Sequence, residues 1–229
     1  MNRKLIIITL LFGLTSTLFI WFSDVDYGQI ITYEDGLFEN LTAIFYLIAF
    51  VLSLLASIKN RRFKLAIIWV FLSFVFLGEE TSWFQRIFNY SVPLVEDANV
   101  QNEFNIHNIE IFQGGGLSDG SFNWKALFKS QNLFRIGFFG YFLILPLLAN
   151  IKFIGRILKK IGYIKPDLLF VITLLIVFIT SLVLTVFSSE QKMQSSIAET
   201  REMLYAFFMM IYVISYIWNY RKQFKSLET

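Results

Sequence analysis

The chain has 229 residues, of which 56% are hydrophobic and 16% charged, with a formal net charge of +3 and no cysteine. Soluble domains carry roughly a quarter charged residues, so this balance excludes an ordinary soluble fold and points to an all-α, polytopic membrane helix bundle. The absence of cysteine excludes disulfides, thiolate metal sites and cysteine nucleophiles.

A helix needs about 20 apolar residues to cross a hydrocarbon core about 30 Å thick. Six runs meet that length, which predicts six transmembrane helices in a single integral membrane domain. The first, Leu5 to Phe22, follows the basic start Asn2-Arg3-Lys4. No small-x-small cleavage pattern comes after it, so it reads as a retained helix and not a signal peptide. The others are Leu37 to Ile58, Leu65 to Phe88, Leu133 to Ile151, Leu168 to Phe187 and Met203 to Tyr220. Pro146 lacks a backbone donor and is expected to kink the fourth. No internal repeat of the kind that marks many transporters is present.

The charges orient these helices. Fourteen of the 20 Lys and Arg residues fall on one side: Arg3 and Lys4, the cluster around Arg61, the cluster from Lys152 to Lys165, and Arg221 onward. Basic flanks stay inside, so both termini are expected in the cytoplasm, in a cytoplasmic (inner) membrane. Fifteen of the 17 acids fall on the opposite side. The basic excess is therefore flanking charge facing anionic lipid headgroups, with no nucleic-acid footprint. Richness in Ile, Lys and Asn suggests a bacterial source.

The outer connections carry most of the polar sequence. Asp24 to Gly36 and Ser188 to Glu202 read as short polar loops. Asn89 to Asn132 is far longer than a usual helix connection and holds the single histidine. Gly114-Gly115-Gly116 breaks it. Beyond that break, Trp124, Leu127 and Phe128 at i, i+3 and i+4 predict a short interfacial helix within Ser121 to Phe134.

Chemistry concentrates first at Gly78-Glu79-Glu80-Thr81-Ser82-Trp83-Phe84-Gln85-Arg86, read as an unbroken continuation of the third helix. At 1.5 Å per residue from Leu65, Glu79 lies roughly 21 Å along the axis, still within the membrane. Carboxylates at that depth face a bundle interior or a water-filled cavity. The helical phase puts Glu79 on one face with Ser82, Trp83 and Arg86 and leaves Glu80 for another helix or a ligand. If the helix surfaces early, both are ordinary boundary charges.

The second stretch runs from Asn99 to Glu110. As a helix it would align Glu103, His107 and Glu110 on one face. Histidine flanked by carboxylates can hold a divalent metal or act as an acid-oriented general base. Gln101, Asn102, Asn105 and Asn108 would orient substrate. The alternative is a hydrogen-bonded loop with a merely polar histidine. Glu39, Arg135, Glu199, Arg201 and Glu202 complete a third group at the outer helix ends. There an acid at a helix start, such as Glu39 or Glu202, can also serve the macrodipole. Helices 2, 3, 4 and 6 thus bring charge to one depth beneath the longest loop. Gly116-Leu117-Ser118-Asp119-Gly120 fits the letters of a nucleophile elbow without the strand and helix that make one.

Three motifs carry a resemblance: Tyr33-Glu34-Asp35-Gly36 with Glu39, Gly78-Glu79-Glu80 with Ser82, Trp83, Gln85 and Arg86, and Asn99 with Gln101, Glu103, Asn105, His107 and Asn108. Together they resemble a group of uncharacterised bacterial multi-pass membrane proteins, over roughly residues 34–108. That group has glycine where this chain has Phe84. The resemblance implies a shared site but no particular reaction.

The leading expectation is a membrane-embedded enzyme acting on a lipid-like or headgroup substrate at the outer leaflet. Glu79, Glu80, Glu103 and His107 would be catalytic, and Glu39, Gln85, Arg86, Gln101, Asn105 and Asn108 would bind substrate. Glu80, Glu103 and His107 would be the ligands if a divalent metal is used. The alternatives are a non-catalytic module binding a partner or ligand through its outer loops, and a small proton- or ion-coupled transporter. The transporter lacks a visible polar path across the inner half.

Overall fold

The computed structural model describes residues 1–33, 36–59, 64–88, 90–96 and 129–225, and the regular elements among them are all helical. α1 (Arg3–Phe22) starts where the Asn2 side chain accepts from the Lys4 amide, and it ends at Ser23, whose backbone is extended. Asp24 then caps α2 (Val25–Thr32) by accepting from the Asp26 and Tyr27 amides, so most of the described part of the first outer connection is helix and not loop. α3 (Leu37–Lys59) and α4 (Lys64–Glu80) pack side by side. Ring pairs Tyr46–Phe76 and Phe50–Phe74, at 5.4 and 5.6 Å, show that they run antiparallel.

α4 stops at Glu80, eight residues before the expected end at Phe88. Ser82, Trp83 and Phe84 follow as a 3-10 turn with φ of 45°, 52° and 65°, and α5 (Gln85–Phe88) and α6 (Pro93–Glu96) are single turns beyond it. The expectation of one continuous helix through Arg86 is therefore corrected: a left-handed turn interrupts the helix just after the two glutamates.

The next long helix begins as α7 (Ser130–Phe139), passes through a π turn at Gly140–Ile144 and ends as α8 (Leu145–Leu148). The disturbance expected from Pro146 takes the form of this π turn, in which the Leu145 amide reaches back to the Gly140 carbonyl. The basic connection that follows is partly helical. α9 (Lys152–Lys160) exposes Phe153 and Ile157 beside Lys152, Arg156, Lys159 and Lys160, a composition suited to a membrane surface.

α10 (Leu168–Phe187) has the expected bounds. Asp167 caps it, accepting from the Leu169 amide and pairing with the Met1 ammonium at 3.0 Å. Burial alone would raise the Asp167 pKa, but those two donors and the ammonium charge hold it below its usual value.

α11 (Gln191–Lys225) starts twelve residues before the expected Met203, so the third outer connection is also mainly helix. Good helix formers fill this extension, and α2 clamps it from the side. Gln29 Nε2 donates to Ser196 Oγ at 2.8 Å and to the Lys192 carbonyl at 2.9 Å, and Lys192 pairs with Asp26 at 2.9 Å. The hydrogen bond and charge of Asp26 hold the Lys192 pKa above its ordinary value.

From Met203 to Val213 every residue of α11 is buried, the mark of a helix surrounded by others. α1, α3 and α10 surround it, and buried hydroxyls return to their own helices: Thr9 to the Leu5 carbonyl, Thr17 to Gly13, Thr42 to Phe38 and Thr200 to Ser196. The outward faces of α1, α3 and α10 carry exposed Ile, Leu, Val and Phe. Four stretches are long and apolar enough to cross a membrane, namely Arg3–Phe22, Val25–Ile58, Gln131–Leu148 and Leu168–Phe187. They support a membrane-embedded protein.

α1 and α10 meet at Gly13, where a Cβ would stand 2.7 Å from Val177 Cγ2 and 2.9 Å from Cγ1. Small residues permit this kind of approach between membrane helices. Gly13→Ala is expected to destabilise the bundle by about 1–3 kcal/mol, the usual cost of overpacking, and Val177→Ala in the same chain should restore part of it. Thermal unfolding in detergent measures both.

Candidate functional site

A cavity of about 540 Å³ opens between α3, α4, α7 and α11. These correspond to the second, third, fourth and sixth apolar runs, the four expected to bring charge to one depth. On α4 it is lined by Trp69, Leu72, Val75, Phe76, Glu79 and Glu80, one helical face that is apolar for most of its length and acidic at its end. Glu80 stands eleven residues beyond Trp69, so the lined face is roughly 16 Å long.

Opposite walls complete the polarity. α7 contributes Gln131 and Arg135 near the carboxylates and Phe138 deeper in, and the π turn after it contributes Phe142. α11 contributes Glu202 and Tyr205 above Met209, and α3 contributes Tyr46. Gln131 Nε2 donates to Glu202 Oε1 at 3.3 Å and ties α7 to α11 at the polar end. Phe76, Phe134 and Tyr205 form a chain of ring contacts at 4.9 and 5.1 Å, which Tyr46 joins through Phe76. Aromatic packing, more than close backbone approach, holds α7 against its neighbours.

The two adjacent glutamates differ. Glu79 Oε1 accepts from Trp83 Nε1 at 2.7 Å, and the Trp83 carbonyl in turn accepts from the Tyr90 hydroxyl at 2.7 Å. The left-handed turn makes this geometry by folding the indole back over Gly78, where a Cβ would lie 2.9 Å from the ring. Left-handed conformation costs an L-residue about 1–2 kcal/mol, and three such residues in succession mark a strained segment of the kind that clusters at functional sites. Glu80 also lines the cavity, but no hydrogen bond or ion pair reaches it among the described residues. The carboxylates of Glu202, Glu39, Glu199 and Glu79 are near enough to act on it through space. The site thus presents one tethered carboxylate, one available carboxylate and a further acid on the facing helix.

Some expected site residues fall elsewhere. Glu39 is in the first turn of α3, half-buried and in the electrostatic neighbourhood of Glu80. Gln85 begins α5 beyond the turn and does not line the cavity. Arg86 is in α5, off the α4 face it was expected to share with Glu79, and its side chain lies outside the described residues. Gln101, Glu103, Asn105, His107 and Asn108, with the rest of 97–128, also lie outside them. Of the ligands expected for a divalent metal, only Glu80 is therefore described, and no group of three His, Asp or Glu residues is placed to hold a metal ion among the described residues.

Tyr46, Trp69, Gln131 and Tyr205 were not singled out in the sequence. The spacing of Trp69, Leu72, Phe76 and Glu80 (i, i+3, i+7, i+11) was the available signal for a lined α4 face. No comparable signal marks Tyr46 or Tyr205, because apolar neighbours surround each in the chain. No family model, curated protein or solved structure matches the chain.

Proposed function

We propose that this is a bacterial inner-membrane enzyme of six transmembrane helices, with both termini cytoplasmic, that acts on a lipid-like substrate at the outer leaflet. α4 and the Met203 to Tyr220 part of α11 supply the two spans beyond the four long apolar stretches. At 1.5 Å per residue α11 is roughly 52 Å long, well beyond a core of about 30 Å, so its first turns project outward with α2. The asymmetric distribution of Lys and Arg supports the orientation.

The amphipathic cavity is the observation that carries this reading. Its volume is within the roughly 300–1,000 Å³ of small-molecule sites, its length is apolar and aromatic, and its acidic end suits a polar headgroup. In the proposed chemistry Glu80 exchanges a proton with the substrate headgroup, Glu79 is held in place by Trp83, and Arg135 balances charge. His107 and Glu103 would come from the long outer connection as a second base or as ligands to a divalent metal.

The test is to incubate the purified protein with a bacterial polar-lipid extract in mixed micelles and follow lipid turnover by mass spectrometry. Wild type should convert one lipid class, and Glu80→Gln should be slower by about 10²–10⁴-fold, the range for loss of a general acid or base. Binding without turnover in wild type would replace the enzyme with a lipid-binding module. Elemental analysis of wild type beside His107→Ala and Glu80→Gln tests the metal arm: near-stoichiometric metal lost in both variants supports metal assistance, and metal retained in either removes that residue from the ligand set.

A further inference from the structure

We propose that the molecule held in the cavity is an amphiphile with a cationic, amine-bearing head, seated at Glu80 with its tail between α4 and α7. This rests on the reading that the cavity takes a lipid-like molecule and adds the chemistry of the head. Glu80 lines the polar end, and the charges that act on it most through space are the carboxylates of Glu202, Glu39, Glu199 and Glu79. An anionic head seated at Glu80 would meet like charge, whereas an ammonium would be attracted.

Two further features favour the cation. Glu80 accepts no hydrogen bond among the described residues, and an ammonium brings the donors a carboxylate needs. Beneath the carboxylates, Tyr46, Phe76, Phe134 and Tyr205 form a connected aromatic wall drawn from all four helices. Ring faces attract ammonium groups, most strongly where water is excluded. Arg135 can pair with the phosphate of a zwitterionic head; the amine is the feature to which the proposal commits.

The experiment compares decylammonium with decyl phosphate, which share a tail, on the full chain in neutral maltoside micelles by native mass spectrometry. It uses wild type, Glu80→Gln and Val75→Phe/Gly137→Phe, the last of which fills the cavity from two walls. The expected result is at least about tenfold stronger retention of decylammonium by wild type, as for a charge-assisted hydrogen bond. Glu80→Gln should erase the preference and the filled variant should retain neither probe. Equal retention or a phosphate preference in wild type, lost on filling, would overturn the cationic head and leave the lipid-like reading standing. Retention of neither probe by wild type, or equal retention by wild type and the filled variant, would overturn both. Circular dichroism confirms that each variant is folded before its result is scored.

Discussion

Gly137→Phe is expected to leave the bundle folded, with unchanged or higher thermal stability, and to abolish both ligand retention and turnover. Gly137 lines the cavity on α7, and a Cβ added there meets nothing within 4 Å. Replacing glycine inside a helix also removes a propensity cost of up to about 1 kcal/mol. Stability and function should therefore move apart, which a merely structural glycine would not allow. Thermal unfolding beside the lipid-turnover assay measures the two together. A variant that binds and turns over lipid like wild type would place the ligand outside this cavity.

Gly78→Val is expected to have the second large effect, through the turn and not the cavity. Its side chain would collide with the Trp83 indole, displacing the ring and breaking the bond from Nε1 to Glu79. Losing a hydrogen bond to a charged group costs about 1.5–3 kcal/mol, and the three left-handed residues would lose the contact that holds their strain. At least about a tenfold loss of turnover follows if even the lower figure appears in the transition state. Trp83→Phe keeps a ring over Gly78 and removes only the donor, so its loss should be smaller than that of Gly78→Val. Phe84→Gly tests the same turn in the opposite direction. At φ 65° glycine is free of the left-handed penalty. Turnover should be maintained in Phe84→Gly and disturbed in Gly78→Val.

Which parts of this arrangement were legible in the sequence follows from the range of the interactions involved. α1, α3 and α10 were found nearly to the residue because length and hydropathy alone determine a membrane span, and Asn2 and Asp167 cap their helices locally. The early stop of α4 was not legible. No proline or glycine breaks the chain between Glu80 and Phe88, and the turn depends on Trp83 folding back onto Gly78 and on Tyr90 bonding its carbonyl, contacts that no periodicity encodes. The outward extension of α11 was missed for a related reason. Gln191 to Glu202 is too polar to read as a span, and its helix is supported by Gln29 and Asp26 from a distant part of the chain. For the site, two carboxylates directly following an apolar run were enough to single out Glu79 and Glu80. Tyr46, Trp69 and Tyr205 look like ordinary members of apolar helices, and only packing brings them to one cavity.

The most direct test of the central claim is an experimental density map of the protein purified from its own membranes. The account predicts elongated non-protein density running roughly 16 Å from Glu80 toward Trp69 between α4 and α7, with its polar end against Glu80, and no such density in Gly137→Phe. A wild-type cavity closed by side chains, or holding density that does not approach Glu80, would contradict it.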